Sequence, residues 1–109
     1  MQWRIEFVNA AAAREVDELP ADLRVRFLRI AELLERFGVE RVREPYVKHL
    51  QGKLWEMRMS GRAGIARSIY VTATERRVVI LHSFVKKSQK TPRAALETAL
   101  RRAKEAKLI

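Results

Sequence analysis

Residues 78–92 read VVILHSFVKKSQKTP, and the fold turns on how this stretch is interpreted. Its first eight residues are nearly all apolar, β-branched or aromatic, interrupted by His82. A short run of that kind predicts a strand buried on both faces, hence an interior one. Three lysines, Lys86, Lys87 and Lys90, follow within five residues. Thr91-Pro92 then opens a helix, because threonine can accept a hydrogen bond from a free backbone N–H and proline suits the first helical position. A strand fixed by the core therefore delivers concentrated positive charge to one place, which is a way to build a phosphate site.

Upstream, residues 65–73 and 54–59 predict two more strands, the second alternating Trp55, Met57 and Met59 with Glu56 and Arg58. The turn-forming residues 60–64 and 74–77 join these strands to 78–85, giving a three-stranded antiparallel meander. Residues 39–46, polar and interrupted by proline, read as a connection. Before them, Leu23, Phe27, Ile30, Leu34 and Phe37 step by four and three, which predicts an amphipathic helix that stops at Gly38. A shorter helix, capped by Asn9 and carrying Ala12, Val16 and Leu19, completes a helical hairpin. Residues 3–8, WRIEFV, alternate as an N-terminal strand, and residues 92–106 form a C-terminal helix with an apolar stripe of Leu96, Ala99, Leu100 and Ala103. The expected order is β-α-α-β-β-β-α, an α+β fold with the hairpin on one face of the sheet.

A chain of 109 residues suits one domain spanning 1–109 with its own core. No stretch is apolar enough for a membrane span, and the N-terminus lacks the ordered regions of a signal peptide, so a cytoplasmic location is expected. The absence of cysteine excludes disulfides, thiolate metal sites and a cysteine nucleophile. The formal net charge is +10, from 23 basic and 13 acidic side chains. Ten of the acidic residues precede Ser60 and only Glu75, Glu97 and Glu105 follow it, so the C-terminal half carries the positive face. Such a surplus attracts polyanions, with nucleic acid modestly ahead of the other reading, a charge that serves solubility alone.

His49 and His82 alone make a weak metal-ligand set, and neither a serine elbow nor a glycine-rich phosphate loop is present; no metal or cofactor is expected. What remains is a set of cations. Arg58 and Arg67 sit in mid-strand, and Lys86 and Lys87 end the next strand. Neighbouring strands lie about 5 Å apart, so these groups can converge on one anion. Arginine's planar fork suits phosphate, whereas lysine acts as a point charge. For Arg67 the other reading is an ion pair with Glu56, and for Arg58 a solvated strand face. His82 is either a hydrogen-bonded core residue or part of the chemistry; Phe84, of the same strand parity, is either core or a base-stacking platform. Lys48, His49 and Lys53 precede the second strand and either line the rim of the same face or are ordinary surface residues.

LWEMRM, then RSIY around the second strand arginine, then VVILHSFVKKSQKTP leading into ALETALRRAKE, resemble the phage Gp49-like, HigB-type toxins of the RelE/ParE superfamily. The resemblance spans almost the whole chain, and its most specific part is F-x-K-K-x-x-K-T-P from Phe84 to Pro92, supported by E-x-R at Glu56 and Arg58. It implies a RelE-like sheet with two N-terminal helices. It also implies a toxin that enters the ribosome and cleaves messenger RNA without a metal, through attack of a 2′-hydroxyl on the adjacent phosphate. A helix-turn-helix antitoxin neutralises such toxins, and a toxin–antitoxin heterotetramer is one assembly this implies. By position, Arg58 and Arg67 match strand arginines that contact RNA phosphate, and Lys87 matches a basic position after the last strand. Lys86 and Lys90 match family lysines to which the resemblance assigns RNA binding but no individual role. Two departures concern the acid and base: Ala66 stands where an aromatic residue is frequent, and the last helix has no tyrosine. Two other functions fit the same residues, a ParE-like toxin directed at gyrase and DNA, and an RNA-binding module without catalysis.

Overall fold

A computed structural model describes residues 2–87 and 90–109; Ser88 and Gln89, within the basic connection, lie outside the described residues. The elements are β1 (Arg4–Phe7), α1 (Ala10–Asp17), α2 (Ala21–Phe37), β2 (Val47–Gln51), β3 (Leu54–Gly61), β4 (Gly64–Ala73), β5 (Arg77–Lys86) and α3 (Arg93–Glu105). One five-stranded sheet has the order β1-β5-β4-β3-β2, with β1 parallel to β5 and the remaining pairs antiparallel. The α+β class and the order of elements agree with the sequence reading, with one strand added. Residues 47–51 pair with β3, so the meander has four strands, and Lys48 and His49 lie on a strand instead of preceding one. Their polar alternation is that of an edge strand, half in water, which by pattern alone is hard to separate from a loop.

The strands are apolar on both faces because helices cover both. On one face Leu23, Phe27, Ile30 and Leu34 of α2, with Val16 of α1, pack on Met57, Met59, Ala66, Tyr70, Val78 and Ile80. On the other, Ala95, Ala99 and Ala103 of α3 pack on Leu54, Ile69, Val71, Val79 and Leu81. Small alanines let α3 approach the sheet closely. β5 lies inside the sheet, between β1 and β4, as its uninterrupted apolar run predicts.

Local signals act as expected at two helix ends. The Asn9 side chain accepts from the Ala12 N–H at 2.8 Å and caps α1. Gly38 ends α2 with φ +85, and a Cβ placed there would stand 3.1 Å from Nε1 of Trp3. Gly38→Ala is therefore expected to lose about 1–3 kcal/mol of stability, read as a lower urea midpoint, since both the backbone region and the space disfavour a side chain. Thr91-Pro92 behaves differently: Pro92 is the cap residue of α3 without a side-chain cap bond, and the Thr91 hydroxyl is engaged elsewhere.

Candidate nucleic-acid interface

Alternation along the strands decides what meets on the α3 face. Glu56 and Arg58 of β3 point there, with Arg67 opposite Arg58 and Phe84 opposite Arg67. Lys48 stands opposite Glu56 on β2, and Lys86 ends β5 opposite Ile65. α3 covers the Leu54 and Val71 end of this face, and the charged row lies beyond the alanines that anchor it.

At the centre stands Glu56, 2% exposed. Its Oε2 lies 3.5 Å from Nε of Arg67 and 3.8 Å from Nε of Arg58, and its Oε1 accepts from the Thr91 hydroxyl at 2.9 Å. The ion pair weighed for Arg67 is thus present, but it is incomplete. The Arg67 Nη1 donates to the carbonyl of Ala66, its own neighbour, at 2.9 Å. Its Nε is buried with no hydrogen-bond acceptor among the described residues, because the approach to Glu56 lacks hydrogen-bond geometry. Burial lowers the pKa of this guanidinium from its usual range, Glu56 opposes that shift and Arg58 adds to it. A buried charged donor left short of acceptors is costly. Three cations, Arg58, Arg67 and Lys86, thus act on the single carboxylate of Glu56.

Lys86 is also buried, and its pKa is lowered, first by desolvation and then by the charge of Arg67. Lys48 acts on it electrostatically as well, which places Lys48 at the rim of the same cluster. Lys87, Lys90 and Lys53 are exposed, Lys53 in the β2–β3 turn and away from the strand row. His49 faces the opposite side of the sheet, opposite Trp55. Among the three rim residues, only Lys48 shares the face.

His82 and Phe84 reach the α3 face because of a bulge. The register between β4 and β5 passes from Tyr70↔Ile80 to Ile69↔His82, so Leu81 is the extra residue and side-chain parity inverts there. β1 has already ended opposite Ile80 and leaves backbone groups of β5 unpaired beyond it. Glu15 of α1 and Arg102 of α3 satisfy them: Glu15 Oε1 accepts from the Ser83 N–H at 3.1 Å, and the Leu81 carbonyl accepts from Arg102 Nη1 at 2.9 Å. Arg102 and Glu15 also join by two bonds of 2.9 Å, and Nδ1 of His82 lies 2.9 Å from Glu15 Oε1. His82 stacks on Phe84 with ring centroids 5.3 Å apart. The hydrogen-bonded reading of His82 thus has its partner, and Phe84 is half-buried against the core. Arg102 was legible only as one more cation on a solvated helix face; its burial comes from the unpaired strand edge.

A groove of about 310 Å³ runs beside the end of β3, lined by Arg58, Arg67, Ser60 and Tyr46 together with Arg26 and Arg29 of α2. The two α2 arginines escaped the sequence reading. Their signal, a basic pair three residues apart on the polar side of an amphipathic helix, is common on any solvated helix.

The sheet order, the hairpin and α3 on opposite faces, and a buried arginine floor together define a RelE-like toxin fold. A chain of the archaeal RelE–RelB complex from Pyrococcus horikoshii has this architecture: it is 27% identical, with a TM-score of 0.56, over 78% of this chain and 96% of that one. The chain belongs to the family described as Phage derived protein Gp49-like (DUF891), whose model matches residues 14–104, and it is a toxin of the RelE superfamily. Among curated proteins none matches the sequence significantly.

Proposed function

We propose that this toxin is an endoribonuclease that cleaves messenger RNA on the ribosome, and that the scissile phosphate sits over Arg67. The buried Nε of Arg67, lacking an acceptor beside Arg58 and Lys86, carries this reading. In the reaction a ribose 2′-hydroxyl attacks the adjacent phosphate, its proton is removed, and the 5′-oxygen leaves with a proton, giving a 2′,3′-cyclic phosphate. Negative charge grows on the phosphorane, so cations already held in place stabilise the transition state more than the ground state. Glu56 holds the two arginines apart and oriented until a phosphate arrives. Lys86, desolvated beside Arg67 so that its pKa is lowered, stands with the two arginines around the phosphate, and Lys87 and Lys90 draw the strand in. Phe84 offers a ring for a flanking base. The ribosome supplies the alignment of a strand that is otherwise mobile, a contribution that reaches many kcal/mol.

An antitoxin partner restrains this activity, as the RelE–RelB pairing of the related complex supports; its helix-turn-helix type follows from the family resemblance alone. Cleavage of a defined message in a reconstituted translation mixture tests the reading; growth arrest with a DNA-damage response and intact RNA would replace it with the gyrase-directed one.

RNA binding by the isolated chain is expected to be steeply salt-dependent. With six or more phosphates contacted, affinity should fall about a thousandfold between roughly 50 and 200 mM salt. A flat response in a filter-binding titration would remove the basic face as the binding surface.

A further inference from the structure

On the hairpin face, away from the arginine floor, the 39–44 connection and the β2 edge enclose an open cavity of about 810 Å³. Trp55 and Tyr70 stand side by side in register on this face and line it. His49 lies across from Trp55, its ring centroid 4.9 Å away, and its Nε2 is fixed by the Gly52 carbonyl at 2.8 Å. The cavity thus has an aromatic wall that is already ordered. Glu40 and Glu44 line it too, and in a chain of net charge +10 neither carboxylate has an ion-pair or hydrogen-bond partner among the described residues. Tyr70 is 2% exposed, and it lines the open cavity with no side-chain hydrogen bond among the described residues. Burial pushes the pKa of its hydroxyl up, so it remains a donor.

We propose that this cavity is a base-specificity subsite that takes a guanine of the RNA; the proposal rests on the RNA-cleaving reading above and adds the base that it selects. Trp55 and His49, their rings inclined at 60°, form an aromatic corner in which a splayed-out base can stack on the Trp55 face, and splayed-out bases are how single-stranded RNA is read. A carboxylate presents two acceptors side by side. Guanine alone among the four RNA bases offers two adjacent donors, N1–H and the 2-amino group, on its pairing edge. Its O6 neighbours N1 and accepts the bond that a tyrosine hydroxyl can give. Lys48 borders the cavity from the edge strand, while its side chain belongs to the arginine face opposite Glu56.

The test is equilibrium dialysis of the purified chain against 5′-GMP, AMP, CMP and UMP, with the variants Glu40→Gln, Glu44→Gln, Tyr70→Phe and Arg67→Ala. GMP is expected to bind about tenfold or more tighter than the other three. At least one of the two amide variants should bring GMP down to the level of AMP with an unchanged thermal melt, since both side chains are exposed. Arg67→Ala should keep the preference for GMP. Equal binding of the four nucleotides, no binding of any, or a preference that survives both amide variants overturns the proposal. A GMP preference in a chain that cleaves no RNA would instead retire the nuclease reading and leave the subsite standing.

Discussion

Arg67→Ala is expected to slow ribosome-dependent cleavage by about 10²–10³-fold, the scale of losing one oxyanion donor, or roughly 3–4 kcal/mol at the transition state. The side chain is held by β4 between β3 and β5 and buried to 4% exposure, so its fork is aimed before the substrate arrives. Lysine at this position keeps the charge and loses the planar fork, so Arg67→Lys should also lose most of the activity. The alanine variant additionally leaves Glu56 with one arginine fewer, and a thermal melt must accompany each rate. Arg58→Ala and Lys87→Ala should reduce cleavage with a nearly unchanged melt, as both side chains reach solvent. If Arg67→Ala cuts at the parental rate while remaining folded, the phosphate lies elsewhere and the roles of its neighbours fall with it.

The largest effect on stability is expected at Arg102. Removing it leaves Glu15 without its bidentate partner and the Leu81 carbonyl without its side-chain donor, while α3 loses its polar tie to the sheet. Breaking a pair of this kind from one side costs about 3 kcal/mol, and for a domain of this size the melting temperature should fall by roughly 10 °C or more. Arg101→Ala, one position away on the exposed side and paired with Glu105 alone among the described residues, should change it by about a tenth of that or little more. Equal effects of the two would mean that the network contributes nothing beyond surface charge.

The same network sets an acid limit. Burial, the largest influence on Glu15, raises its pKa, but hydrogen bonds from Arg102, Ser83 and His82 outweigh it together and hold the carboxyl below the ordinary 4.5. A carboxylate with a depressed folded pKa stabilises the fold above its unfolded value, and that contribution disappears as pH falls through the folded one. The melting temperature should therefore begin to drop below about pH 4.5, and Glu15→Gln should flatten that part of the profile. His82→Ala should act here, on stability, more than on cleavage, since Nδ1 of His82 is already committed to Glu15.

Much of the architecture was legible in the chain because it rests on short-range patterns. The apolar run at 78–85 announced an interior strand, the four-three spacing of Leu23 to Phe37 announced α2, and Asn9 and Gly38 marked helix ends. The pairing of Arg58 with Arg67 also follows from local rules, because a short turn between two alternating strands leaves little choice of register. Three things were decided only by the packed molecule. β2 became a strand because β3 needed a partner at its open edge, and its own residues are too polar to reveal that. The bulge at Leu81 inverted the facing of His82 and Phe84, and a single inserted residue in a ladder leaves no mark in an evenly apolar run. Burial of Arg102, and the turning of Thr91 from helix cap to Glu56 donor, depended on which unpaired groups other elements happened to present. Spacing along a chain gives the face on which a side chain points, whereas a partner for a buried charge exists only after distant segments have met.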